Sequence, residues 1–75
     1  MAETTLGRVF RRAAHDTEFR RRALQNMGIA LAEEGFVLTD AEMRELREHW
    51  EPLQSVSERA AYERIMALAR QHART

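Results

Sequence analysis

The sequence predicts an all-α fold, a small bundle of four or five short helices. Apolar residues recur at helical spacing along nearly the whole chain, and no stretch suggests a strand hairpin, an internal repeat or a flexible linker. Residues suited to begin or end a helix punctuate it, above all Asp16, Gly35 and Thr39. Seventy-five residues allow one domain with one core, residues 1–75. At that length burial barely exceeds chain entropy, which costs roughly 1.5 kcal/mol per ordered residue. A deep pocket is therefore not expected. Stability gained from a protein partner, or from a second copy in a homodimer, is.

The first helix follows from Leu6, Val9, Phe10 and Ala13, which share one face, with Thr4 or Thr5 as cap and an end near Ala14. Asp16 suits the start of the next segment, since its carboxylate accepts from free N–H groups of a first turn and faces the positive end of the helix dipole. Glu18 adds to this. Phe19, Ala23, Met27, Ala30 and Leu31 carry the face onward, as one long helix or as two short ones, with a break or kink near Asn26–Gly28 the favoured reading, since glycine there costs roughly 1 kcal/mol relative to alanine. Gly35 ends the segment in the left-handed conformation, and Phe36 and Leu38 follow in an extended connector that folds back on the core.

Thr39-Asp40-Ala41-Glu42 matches a capping box, and Leu38 with Met43 matches a hydrophobic staple. Leu46 and Trp50 extend that helix, which Pro52 should end around Trp50–Glu51. Residues 51–57 are the one plausible hinge. Ser55-Val56-Ser57-Glu58 reads as a second capping box, opening an amphipathic C-terminal helix over residues 56–74 with Ala61, Ile65, Leu68, Ala69 and His72 on one face. The expected core is Leu6, Phe10, Phe19, Leu24, Leu31, Phe36, Leu38, Met43, Leu46, Trp50, Ile65 and Leu68.

Composition removes several function classes. There is no cysteine, hence no disulfide, thiolate nucleophile or cysteine-bound metal. The start, Met1-Ala2-Glu3-Thr4-Thr5, lacks the basic and apolar regions of a signal peptide, and no apolar run approaches the roughly 20 residues that span a bilayer. A cytoplasmic protein without a membrane partner is the expectation. Net charge is zero and every basic residue is arginine. Residues 1–25 carry six arginines against three acids, residues 26–60 three against eight, and residues 61–75 three against one. Such polarity orients docking to a charged partner, or lets one end of the fold neutralise the other.

No catalytic constellation emerges, so an enzyme is not expected. Ser55 and Ser57 read as helix caps, without a His–Asp pair spaced to activate either. Gly7, Gly28 and Gly35 are too scattered for a phosphate loop. Glu42, Glu45 and His49 share one flank of the fourth helix, and carboxylates with an imidazole can hold a divalent metal. Three ligands on one helix with no second source make a poor site, and the expectation is a solvated acidic face with no metal and no other cofactor. His15 and His72 read as isolated, with His15 expected in a turn and His72 at a helix C-terminus, where a cation suits the dipole. Arg8, Arg11 and Arg12 share a flank, but Arg20, Arg21 and Arg22 sweep round a helix. With zero net charge, the pattern weighs against nucleic acid.

Two segments also carry a resemblance. Gly7-Arg8-Val9-Phe10-Arg11-Arg12-Ala13-Ala14-His15-Asp16-Thr17-Glu18-Phe19-Arg20 resembles an opening of helix, small residue, Asp, any residue, Glu-Phe-Arg. Ala30-Leu31-Ala32-Glu33-Glu34-Gly35-Phe36-Val37-Leu38-Thr39-Asp40-Ala41-Glu42-Met43 is similar to Ala-Leu-Ala-Glu, any residue, Gly, an apolar pair and Thr-Asp-Glu-Glu. Both patterns belong to leader peptides of bacterial ribosomally made, post-translationally modified peptides, of the nitrile-hydratase-like and nitrogen-fixation-associated type, and to related small actinobacterial precursors. The resemblance spans roughly residues 6–50. The chain departs from it at Gln25-Asn26-Met27-Gly28, where those leaders carry Asp-Pro, and in having no small-residue cleavage site or core rich in modifiable residues. The small alpha subunit of protocatechuate ring-opening dioxygenases has a similar helical pattern.

The resemblance implies a non-catalytic recognition domain that docks to a peptide-modifying enzyme. Partner contacts are expected at Phe19, Arg20, Phe36, Val37, Leu38 and Trp50, with Trp50 an anchor if exposed and otherwise a core plug. The alternatives are a small regulatory DNA-binding protein using Arg8, Arg11, Arg12 and Arg20–Arg22, and a small helical subunit of an oxygenase-like enzyme.

Overall fold

Thr4 holds the first helix open: its hydroxyl accepts from the Gly7 N–H at 2.9 Å. In the computed structural model, which describes residues 4–72, the same three-residue reach recurs at successive helix starts. Helix α1 spans Thr5–His15, and Asp16 then caps α2, Thr17–Gln25, by accepting from the Phe19 N–H at 3.0 Å. Asn26 caps α3, Met27–Glu34, by accepting from the Ile29 N–H at 3.1 Å. The break expected near Asn26–Gly28 is therefore a re-initiation, with Asn26 leaving helical geometry as the cap of a new helix. Gly35 closes α3 in the left-handed region at φ 77°.

Residues 36–39 run without helical structure to α4, Asp40–Trp50. Its capping box is complete, with the Glu42 N–H donating to the Thr39 hydroxyl at 3.1 Å and the Thr39 N–H donating to the Glu42 carboxylate at 2.8 Å. Leu38 and Met43, the expected staple, are both half-buried against the core. Past α4 the chain tightens into a 3-10 turn, Glu51–Ser55, with Pro52 near its start, where a missing N–H removes no bond. This turn replaces the hinge expected there and buries Leu53, absent from the expected core.

Helix α5 spans Glu58–His72. The second capping box expected at Ser55–Glu58 does not form. The Ser55 hydroxyl instead donates to the Pro52 carbonyl at 3.1 Å within the 3-10 turn, and Ser57 takes the cap by accepting from the Ala60 N–H at 3.2 Å. The proline turn claims Ser55 first, so the helix starts two residues later. The end expected at residue 74 lies outside the described residues.

All five helices are α-helical and the described residues contain no strand, as the sequence predicts. Helix α5 packs along α1 and runs back on it, so the last turn of α5 meets the first turn of α1. A Cβ on Gly7 would lie 3.0 Å from the His72 carbonyl oxygen, and that close approach is what a side chain at position 7 would block. Between the helices lie Phe10, Phe19, Leu46 and Ile65, all fully buried, with Leu6, Leu31, Trp50 and Leu68 around them. Leu24, Phe36, Leu38 and Met43 sit at the core's edge. Ala13, Ala23, Ala30 and Ala61, which the expected core omitted, are buried where small side chains let helices come together.

Candidate functional site

The residues expected to meet a partner divide into two sets. Phe19 is fully buried, with its ring centroid 6.0 Å from that of Phe36, and Trp50 is 3% exposed. The Trp50 indole N–H donates to the Ala23 carbonyl at 3.1 Å, joining the end of α4 to α2. Both are core residues, because each fills the centre of its helix face, so neither is a surface anchor. Arg20 is half-buried and holds the chain together: it donates to the Ala13 carbonyl at 2.8 Å and the Ala14 carbonyl at 3.3 Å, carbonyls that the end of α1 leaves without helical partners. Its guanidinium also lies 4.6 Å from the Tyr62 ring centroid on α5. The connector is different. Phe36 and Leu38 are half-buried, and Val37 between them is 84% exposed, the highest among the large apolar side chains exposed in the described residues.

Phe36 also forms one wall of a shallow groove of about 340 Å³, lined further by Arg8, Arg11, Arg12 and His15 of α1. Its charge is partly answered from within. Arg12 pairs with Asp16 at 2.9 Å and with Glu34 at 2.6 Å, and Arg22 pairs with Glu33 at 2.8 Å and Glu34 at 3.4 Å. The acids of α3 thus offset part of the charge of the basic N-terminal segment, through Arg12 and Arg22. The Phe19 N–H, and then Arg12, hold the Asp16 carboxyl below its usual 3.8 by favouring its charged form. A second groove, of about 290 Å³, opens between α3 and α4 over Trp50, with Met27, Met43 and Leu46 in its walls.

The structure also gathers a constellation that the sequence leaves apart. Glu45, His49 and His72 each offer one ligand atom, and these atoms lie within 4.8 Å of one another. Glu45 and His49 stand one turn apart on α4, while His72 arrives from the end of α5. Both imidazoles lean on the buried Phe10 ring, His49 edge-on at 5.9 Å between centroids and His72 tilted at 5.0 Å, and they face each other edge-to-face at 6.1 Å. Two expectations are corrected here. His72 is not isolated, because the α1–α5 seam carries it to α4. Glu42 does not join Glu45 and His49, because its carboxylate closes the capping box. Both signals, a lone terminal histidine and a Glu-x-x-x-His spacing, are visible in the sequence, but their meeting is not.

No helix among the described residues is long and apolar enough to cross a membrane. Compared with protein families, curated proteins and solved structures, the chain matches none of them.

Proposed function

We propose that this chain is a non-catalytic protein-recognition domain, a leader-like module that docks onto a peptide-modifying enzyme in the cytoplasm. The observation that carries the reading is the 36–39 connector. It presents Val37 almost fully to solvent, beside a groove walled by Phe36 and the arginines of α1. A large apolar side chain on an irregular segment next to concentrated guanidinium groups suits a partner strand that brings an apolar pocket and acidic side chains. The resemblance over residues 6–50 ends with α4, and residues 58–72 form a packed helix with Ala61, Ile65 and Leu68 in the core. In this reading α5 stabilises the docking domain and is not a substrate segment.

Co-expression with modification enzymes encoded beside it in the native host is the test. The chain should co-purify with one of them, and Val37→Asp should abolish the complex while leaving helicity and thermal midpoint as in the wild type. No complex with any such enzyme, together with an unmodified intact mass from the native host, would remove the reading. The DNA-binding rival is tested by titrating duplex DNA across salt concentrations. The pairing of Arg12 and Arg22 with Glu33 and Glu34 leaves fewer guanidiniums for phosphates, so binding near physiological salt is not expected.

A further inference from the structure

We propose that Glu45, His49 and His72 form a binding site for a zinc-class divalent metal ion, which clamps α4 to the end of α5. Three observations converge on it. The donor set, two imidazoles and a carboxylate, is one that Zn²⁺ takes, whereas Mg²⁺ and Ca²⁺ favour oxygen alone. The ligand atoms are already gathered within 4.8 Å. Ligands about 2.0–2.1 Å from a tetrahedral metal stand roughly 3.3 Å from each other, so closure asks the side chains to draw together by at most about 1.5 Å. Finally, these donor atoms are not otherwise engaged: within the described residues, neither imidazole nor the Glu45 carboxylate takes part in a hydrogen bond or ion pair.

The surroundings suit the task. Glu45 and His49, four residues apart, project from one face of α4, the spacing at which a helix chelates a metal. The Phe10 ring backs both imidazoles and shields one side of the site from water, which strengthens the interaction of an ion with its ligands. Glu45 stands at the exposed edge, so an ion enters from solvent and keeps a water in its fourth position. Because His72 reaches α4 across the first turn of α1, metal binding favours the folded chain over the unfolded one. The site is separate from the connector and its arginine groove.

Calorimetric titration of the purified chain with Zn²⁺ alone, with thermal unfolding followed by far-UV circular dichroism, tests this directly. One Zn²⁺ should bind per chain. At a free concentration a hundred times the dissociation constant it should raise the midpoint by roughly 10–20 °C, while Mg²⁺ should not move it. His49→Gln and His72→Gln should each weaken binding at least tenfold, and Glu48→Gln, on the same helix but outside the cluster, should not. In the wild-type chain, imidazole NMR signals of His49 and His72 should shift on titration while those of His15 stay, a readout that holds even if a variant fails to fold. Absence of heat and of a midpoint shift would overturn the proposal. So would one Zn²⁺ shared by two chains, or binding that survives both histidine substitutions.

Discussion

Trp50 ties two distant parts of the fold together, and replacing it by phenylalanine should reveal how much that tie contributes. The indole is 3% exposed and its N–H donates to the Ala23 carbonyl, 27 residues away, at 3.1 Å. In Trp50→Phe the donor is lost, which costs about 1–2 kcal/mol when the acceptor stays buried. The smaller ring also withdraws on the order of 40 Å² of apolar contact, about 1 kcal/mol at 25 cal/mol per Å². The sum is about 2–3 kcal/mol. A chain of this size is worth roughly 4–11 kcal/mol in all, and each kcal/mol moves the midpoint by roughly 4–8 °C. The midpoint should therefore fall by about 8–24 °C. The neighbouring groove sets where in that range the result lands: it passes over Trp50, and a water entering from it could satisfy Ala23 and hold the loss near the lower end. Trp50→Ala, which removes the whole ring, should cost about 3–5 kcal/mol. Urea unfolding followed by far-UV circular dichroism measures both. A Trp50→Phe chain within about 0.5 kcal/mol of the wild type would show that the Ala23 bond and the indole's extra contact contribute nothing, and would refute the assignment of Trp50 as a core tie.

Other expectations separate causes that look alike in the sequence. Gly35→Ala should destabilise by about 1 kcal/mol, since φ 77° strains any side chain although space is open, and Gly35→Asn should recover part of that loss in the same urea titration. Gly28→Ala should instead stabilise by up to about 1 kcal/mol, because the position is helical and a Cβ would meet only the Asn26 side chain at an ordinary 3.6 Å. Gly7→Ala should cost about 1–3 kcal/mol by forcing α5 away from α1, and its thermal scan should also show a smaller Zn²⁺-induced shift, because His72 moves with that turn. Asp16 has a folded pKa below its ordinary 3.8, so the native state binds fewer protons there than the unfolded one. Its contribution is present above pH 4 and lost as pH falls through the folded value. Asp16→Asn, which keeps a capping side chain but no charge, should flatten the urea midpoint across that acid range.

Much of the helical punctuation is legible in the chain itself. Thr4, Asp16, Asn26 and the Thr39–Glu42 pair act over three residues, and Gly35 acts on its own backbone. Such bonds form within one turn whatever else surrounds them, so local spelling suffices to place α1 and the start of α4, while for residues 17–34 it allows one helix or two, and the Asn26 cap decides for two. Where two local readings compete the spelling is not enough. Ser55 and Ser57 both precede an acceptable helix, and the 3-10 turn around Pro52 decides between them. The arginines pose the same difficulty. A run such as Arg20-Arg21-Arg22 does not say that Arg20 closes the end of α1 while Arg22 crosses to Glu33.

The sequence by itself determined that this protein is helical, where most of its helices begin, and which apolar face each turns inward, because those are consequences of hydrogen bonds and periodicity within a few residues. Only the tertiary structure decided between core and partner contact for Phe19 and Trp50, both of which lie inside, left Val37 outside, and set His72 beside His49. These outcomes depend on how closely α5 can run along α1, which rests on Gly7 having no side chain at the crossing, and on which residues 20 to 30 positions apart the helices then bring into contact. No local spacing records such meetings, since they are set by the packing of whole helix faces against one another.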